Sequence, residues 1–416
     1  MKAKNYFLVT AGYWAFTLTD GALRMLVLLH FHDLGYSPVS IAFLFLAYEF
    51  MGIVTNLLGS WVGSRTGLNR TLVAGLGLQI VALVALTMQQ PGWHEWVSVA
   101  FVMSAQALSG VAKDLTKMSS KSAVKAIVGA GDGALFRLVA ILTGSKNALK
   151  GIGFFLGAAL LSWIGYGHAL WAMAAILAIT VIALLVLLDE DIGRSKKKTP
   201  LRSILSKSSA VNRLSAARFF LFGSRDIWFV VALPVFLGDE LGWSYTGIGG
   251  FLAAWVIGYG IVQSFAPKLL GRRSETTLDE IHAARRWSFV LCVVSLIIAL
   301  AVALDAGRTF AIVGGLVVFG VVFALNSSLH SYLILAYSDD DDVALDVGFY
   351  YSANAAGRLV GTLLSGVLFL WGGLSAALWG STAFVVIAWL LTLRLPALPG
   401  PADTETSTRA MTQETP

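Results

Sequence analysis

Leu34-Gly35-Tyr36-Ser37 and Leu241-Gly242-Trp243-Ser244 stand 207 residues apart, and the match continues beyond both at the same offset. Ile41 falls opposite Ile248, and Asn56 opposite Gln263. Between the copies lies a basic segment, 189–210, with Arg194, Lys196, Lys197, Lys198, Arg202 and Lys207. A chain that repeats once across a charged linker is built from two related halves. The fold then depends on what one half is.

Composition narrows that quickly. The 416 residues are 57% hydrophobic and only 13% charged, with mean hydropathy +0.75. Soluble domains carry about 25% charged residues, so most of this chain belongs in a bilayer and soluble classes are excluded. Runs of about 20 mostly apolar residues mark spanning helices. Twelve are present: 6–31, 38–62, 71–89, 97–122, 135–164, 168–188, 211–237, 244–267, 287–305, 309–336, 347–371 and 374–395. The basic segment divides them six and six. The expected organisation is therefore a six-helix bundle over 1–188, a linker over 189–210, a second six-helix bundle over 211–395 and a disordered tail over 396–416. The N-terminal run contains Asp20 and Arg24 and lacks a small-residue cleavage site, so it reads as a retained span rather than a signal peptide. Arg65, Arg70, the linker cations, Lys268, Arg272, Arg273, Arg285 and Arg286 all fall on one side of the membrane. That asymmetry predicts both termini on the cytoplasmic side.

Two related six-helix halves resemble the major facilitator superfamily, which implies an all-α fold with a substrate site near the midplane between the halves. The superfamily's loop between spans 2 and 3 carries Gly-x-x-x-Asp-Arg-x-Gly-Arg-Arg/Lys. Here Gly59-Ser60-Trp61-Val62-Gly63-Ser64-Arg65-Thr66-Gly67-Leu68-Asn69-Arg70 keeps Arg65, Gly67 and Arg70 but has no aspartate.

The charges inside the spans carry the chemistry. Lys113 and Lys117 lie in span 4, Lys146 and Lys150 in span 5, each pair at i,i+4 on one helical face. A charge at the centre of a lipid-facing helix costs roughly 2.5–3.5 kcal/mol. Four would cost about 10–14 kcal/mol, comparable with the stability of a whole fold. Two readings follow. Either Gln106, Gly110, Lys113 and Lys117, with Thr143, Lys146, Asn147 and Lys150, form the cationic wall of a cavity, or the spans are displaced and the lysines snorkel to the inner surface. Lys121 and Lys125 fit the second reading.

Span 1 aligns Thr10, Tyr13, Thr17, Asp20 and Arg24, where Asp20 and Arg24 are spaced to form either a structural salt bridge or a coupling site. Span 7 carries Arg218, Arg225 and Asp226, the last two near the level of Asp20, so a charge network between spans 1 and 7 is expected. Span 11 aligns Tyr351, Asn354, Arg358 and Thr362; span 10 has Asn326 and His330; span 2 has Glu49 and Asn56. Cations outnumber carboxylates, which suits a multiply charged oxyanion: a phosphate monoester carries about −1.5 to −2 charges. The candidate substrate contacts are Lys113, Lys117, Lys146, Asn147, Lys150, Arg24, Arg218, Arg225, Asn354 and Arg358. Asp20, then Glu49 and Asp226, are candidates for proton coupling, with Asp114 a weaker one. No cofactor, metal site or nucleic-acid partner is expected. His30 and His32 lack ligand company, Gly144-Ser145-Lys146 is no phosphate loop, and no nucleophile–base pair suggests an enzyme.

The stretches Tyr13–Arg24, Gln106–Ala123, Leu142–Gly151, Ser215–Trp228 and Asn354–Arg358 resemble one branch of the superfamily, the ArsJ-type organoarsenical efflux permeases of bacterial arsenic-resistance clusters. The resemblance runs over about 6–395. It implies export, from a bacterial inner membrane, of 1-arseno-3-phosphoglycerate, which glyceraldehyde-3-phosphate dehydrogenase forms when it uses arsenate in place of phosphate. Outside, that compound decomposes, so arsenate resistance results. The link to the dehydrogenase is one of supply. Pentavalent arsenic needs no thiolate, in keeping with Cys292 as the single cysteine, whereas trivalent arsenic would need several soft sulfur ligands. A carrier of other organic phosphates or organic anions is the alternative.

Overall fold

The computed structural model describes residues 2–66, 68–90, 92–128, 133–188, 208–270, 277–305, 308–337 and 343–396. Most of the basic linker and all but the first residue of the tail expected at 396–416 lie outside this set, as do the side chains of Lys121 and Lys125. Every regular element among the described residues is helical: α1 (Lys2–Asp33), α2 (Pro38–Thr66), α3 (Leu68–Leu86), α4 (Glu95–Val128), α5 (Gly133–Leu187), α6 (Ser209–Phe229), α7 (Ala232–Asp239), α8 (Tyr245–Leu269), α9 (Thr277–Ala303), α10 (Arg308–Tyr337) and α11 (Val343–Leu393).

These eleven elements make twelve spans. α5 contains spans 5 and 6, which change direction at Gly165 (φ 78°, ψ 173°), and α11 contains spans 11 and 12, which change direction at Gly373 (φ 62°, ψ −158°). That backbone region is essentially restricted to glycine, and it recurs at the corresponding place in each half. Span 7, expected as one run, is broken between α6 and α7 at Val230 and Val231. The Ser365 hydroxyl caps the break by accepting from the amides of Val231 (3.1 Å) and Ala232 (3.0 Å). Nine described stretches are long and apolar enough to cross a membrane, and two of these, 145–187 and 346–393, hold two spans each. The polar stripe of α1 keeps it out of that set, yet it packs in the interior beside α5.

The repeated tetrapeptide has a clear structural role. Gly35 (φ 82°) and Gly242 (φ 65°) adopt left-handed backbone at the ends of α1 and α7, where a side chain would be strained. One residue separates each glycine from a serine that starts the next helix. Ser37 Oγ accepts from the Ser40 amide at 3.1 Å, and Ser244 Oγ from the Gly247 amide at 3.2 Å. Each is an N-cap. Ile41 and Ile248, one turn further, are both fully buried.

Small residues set the close packing within each half. A Cβ on Gly153 or Gly157 of α5 would overlap the backbone of α1 at Leu18 or Ala22; a Cβ on Gly357 or Gly361 of α11 would overlap α6 at Phe219 or Gly223. Both are Gly-x-x-x-Gly pairs, which let helix backbones approach closely in lipid. Two seams then join the halves. α2 meets the first span of α11 from Pro38 and Gly366 at one end to Asn56 and Gly348 at the other. α5 meets α8 from Ala158 and Gly249 to Asn147 and Gly260.

Candidate functional site

Halfway along the α2–α11 seam sits Glu49, which has no exposed surface. A lone buried carboxylate would be costly, and two guanidinium groups offset it. Arg24 Nη1 from α1 donates to Glu49 Oε1 at 3.2 Å, and Arg358 Nη2 from α11 donates to the same oxygen at 2.5 Å. Arg358 also donates from Nε to Asp226 Oδ2 at 3.0 Å. Arg225 Nε donates to Asp226 Oδ1 at 2.7 Å, with its Nη2 on the same oxygen. The result is a continuous charged chain, Arg24–Glu49–Arg358–Asp226–Arg225, that crosses from one half to the other.

Of the two readings open for Asp20 and Arg24, the intrahelical salt bridge is not what forms. Arg24 turns to Glu49, while Asp20 accepts a hydrogen bond from the Tyr48 hydroxyl at 2.7 Å. A fully buried carboxylate on the next helix competes better for the guanidinium than one already served by a phenol. The charge network between the halves likewise runs through spans 2 and 11 rather than directly between spans 1 and 7.

The lysines divide. Lys113 Nζ lies over the Tyr48 ring, 4.1 Å from its centroid, and 3.3 Å from where a side chain on Gly52 would begin. Lys150 lies near Phe154, and the charges of both Lys113 and Lys150 act on Glu49. Lys117 is further along α4, 3.9 Å from Asp114 and over the Tyr351 ring. Lys146 sits one turn before Lys150 and, like it, is half-buried. Asn147 donates across the α5–α8 seam to Gln263 Oε1 at 3.2 Å. Asn354 lies one turn before Arg358 and has a buried carbonyl oxygen with no hydrogen-bond partner.

Arg218 stands apart from this network. It is two turns before Arg225 on α6, donates to Ser327 and packs on Phe222. Sequence reasoning missed Tyr48, Tyr259 and Ser327, which are neutral residues in apolar runs. The available signal for Tyr48 was its place on the Phe45–Tyr48–Gly52–Thr55 face of α2.

A narrow crevice with room for about one water molecule opens beside the network, lined by Asp20, Arg24, Phe45, Tyr48 and Gln106. Arg24 Nη2 and Gln106 Nε2 are buried there without partners. Counting the groups around Glu49 and Asp114, the cations Arg24, Lys113, Lys117, Lys150, Arg225 and Arg358 face the carboxylates Asp20, Glu49, Asp114 and Asp226. Formal cations exceed carboxylates by two, and the unmet donors stand beside two unmet acceptors, Glu49 Oε2 and Asp114 Oδ1. Such a site attracts an anion. Among the described residues no group of three metal-ligating side chains occurs.

At the end formed by the 33–38 and 239–245 turns, the halves are latched together. His32 Nε2 lies 3.1 Å from Asp239 Oδ1, and Tyr245 donates to Asp33 Oδ1 at 2.5 Å.

Two related helical bundles enclosing a buried charged site between them define a membrane transporter. The Major Facilitator Superfamily profile matches residues 9–278 and 214–414, and the chain belongs to that superfamily. Among solved structures, the nucleoside transporter NupG is similar at TM-score 0.72 and 15% identity, over 95% of this chain and 99% of that one. A bacterial homologue of the iron transporter ferroportin, in an inward-facing state, is similar at TM-score 0.68 and 16% identity, over 93% and 98%. The human organic anion transporter TETRAN is similar at 0.64 and 16%, over 94% and 99%. At these identities the likeness is one of fold. No curated protein matches the sequence.

Proposed function

We propose that this transporter exports 1-arseno-3-phosphoglycerate from the cytoplasm by alternating access and thereby confers arsenate resistance. The observation that carries the reading is the excess of cations around Glu49 and Asp114: six basic groups against four carboxylates, with Arg24 Nη2 still free to donate. The proposed cargo has a tetrahedral oxyanion at each end and needs no thiolate. Its arsenic identity rests on the resemblance of the Lys-rich stretches to the organoarsenical permeases. Arg24, Lys113, Lys150, Arg225 and Arg358 are the proposed contacts, with Lys117, Lys146, Asn147 and Asn354 along the approach. The reading places the chain in a bacterial inner membrane with both termini cytoplasmic and 189–210 as the linker between the bundles.

An inside-negative potential assists outward movement of a polyanion by about 2.3 kcal/mol per charge per 100 mV. Proton entry would reset the carrier, and Asp20, Glu49 and Asp226 are the proposed coupling carboxylates. The deciding experiment is arsenate tolerance in a sensitive host that expresses the chain together with the dehydrogenase. Unchanged tolerance despite good membrane expression would sink the arsenical assignment. The broader reading, a carrier of organic phosphates or other organic anions, is favoured by the fact that cations alone do not separate arsenate from phosphate. Uptake into inverted vesicles separates the two: phosphoglycerate competing as well as the arseno compound selects the broader cargo.

A further inference from the structure

Arg218 is 3% exposed, and no described carboxylate pairs with it. Its polar contacts are Nη1 to the Ser327 carbonyl oxygen at 3.1 Å and to Ser327 Oγ at 3.3 Å. The rest of the guanidinium lies against rings, with Phe222 at 3.9 Å and Tyr350 at 5.0 Å, and Nε has no partner. A buried charge without a counter-ion is expensive, and proteins ordinarily pair it.

The surroundings are equally unbalanced. Ser327 Oγ is approached by three donors: Arg218 Nη1, the Tyr259 hydroxyl at 3.2 Å and Gln263 Nε2 at 3.3 Å. A hydroxyl has two acceptor lone pairs, so three donors converge where two can be served. The Ser327 carbonyl also accepts from Ser331. Next to this, His330 is 1% exposed and neither ring nitrogen has a partner. The cluster's one formal charge is positive, and Arg218 Nε and one ring nitrogen of His330 are N–H donors without an acceptor. The cluster is tied to the other half through Gln263 and Asn147 at 3.2 Å, one turn from Lys150.

We propose that Arg218, Tyr259, Gln263 and His330 form a second oxyanion subsite, which takes one end of a two-headed anion while the network around Glu49 takes the other. Ser327 Oγ occupies the position that an oxyanion oxygen takes when the subsite is filled. Arg218 and Arg225 are seven residues apart on one helix, about 10 Å along its axis. Part of that distance is spanned by the guanidinium groups themselves. The remainder suits a short carbon chain with a tetrahedral anion at each terminus. This deepens the reading of an anion carrier and rests on it, but it does not depend on arsenic.

The test is equilibrium binding to the purified full chain in lipid nanodiscs, with propane-1,3-diyl bisphosphate and propyl phosphate as probes. If two subsites exist, the bisphosphate binds at least about tenfold more tightly than the monophosphate, because the second group binds intramolecularly. Arg218→Gln then collapses that ratio to about two or less, whichever subsite the monophosphate prefers. An Arg218→Gln variant that weakens both probes equally, leaving the ratio intact, overturns the proposal, as does a wild-type ratio near one. Should Arg218→Gln fail to fold, Tyr259→Phe removes one donor while keeping the ring, and a reduced ratio supports the subsite whereas an unchanged ratio overturns it. Loss of arsenate tolerance is scored separately, so a failed arsenical assignment and a failed subsite give different results.

Discussion

Replacing Glu49 with Gln isolates the proposed basis of anion selectivity. The carboxylate is fully buried, and one of its oxygens holds both Arg24 (3.2 Å) and Arg358 (2.5 Å). Removing one partner from a buried ionic cluster costs about 3–5 kcal/mol. The lower end applies here, because Arg358 keeps its bond to Asp226. The same change raises the uncompensated positive charge around the site from two to three. At an effective dielectric of about 20, a unit charge roughly 4–6 Å away contributes about 3–4 kcal/mol. That sets an upper bound of roughly 100- to 1,000-fold in anion affinity.

The two effects have opposite signs, which makes the experiment selective. Without ligand, Glu49→Gln should lower the apparent thermal midpoint of the purified protein. With 3-phosphoglycerate in large excess most of the loss should return, since ligand at 100 times its dissociation constant stabilises by about 2.7 kcal/mol. Turnover in vesicles should fall, because tighter binding slows release. A variant whose anion binding weakens in step with its stability would refute the reasoning, because Glu49 would then be building the site rather than opposing the anion.

Four further outcomes are expected. The Lys113→Gln, Lys150→Gln double variant should insert normally, or better, and lose transport; normal vesicle flux would remove both from the site. Asp20→Asn, at a carboxylate held by Tyr48 within its own half, should keep pH-driven efflux, whereas Glu49→Gln should lose it yet retain counterflow of labelled substrate, which needs no net proton movement; loss of pH-driven efflux with counterflow intact in Asp20→Asn would move the coupling to Asp20. Gly157→Leu should destabilise by about 1–3 kcal/mol or more through overpacking against α1, read as reduced folded yield, and wild-type yield would contradict the close approach at Ala22. A cross-link between His32→Cys and Asp239→Cys should form readily at the latch and arrest transport until reduced; transport that continues through the cross-link would show that this end need not open.

The spans, the two halves and the glycine-serine turns were legible because each rests on local chemistry: apolar length, a repeat offset and a left-handed glycine before an N-cap. The site was legible as a set of charges but not as a set of partners. Asp20 and Arg24 have the spacing of a helical ion pair, and on an isolated helix they would meet. In the bundle, Arg24 lies beside a carboxylate with no access to water, and that carboxylate wins. Arg218 and Arg225 both stood among the candidate substrate contacts on span 7. Two turns of helix give them different polar partners, Ser327 for Arg218 and Asp226 for Arg225, although both lie over the Phe222 ring. Tyr48, Tyr259 and Ser327 were illegible because neutral polar groups in apolar helices look the same whether they serve packing or a ligand.

The two halves are alike in scaffold and unlike in charge, and the division is informative. At the repeat offset of 207, His32 corresponds to Asp239, and these two residues meet each other across the seam. Such a contact between corresponding positions is what an approximate two-fold axis passing near the latch produces. In the interior the correspondence stops: Glu49 faces Val256 in the alignment, Arg24 faces Val231, and Asp20 faces Ile227. Alternation between two openings requires related bundles that can rock on equivalent seams, so turns, kinks and packing glycines are duplicated. Binding one asymmetric anion carries no such requirement. Of the three carboxylates proposed for coupling, Glu49 is then the best placed. It bridges Arg24 of one half to Arg358 of the other, so its protonation would loosen an inter-half tie and free Arg24 and one nitrogen of Arg358 for cargo in the same step. Asp20, held by Tyr48 within its own half, lacks that lever.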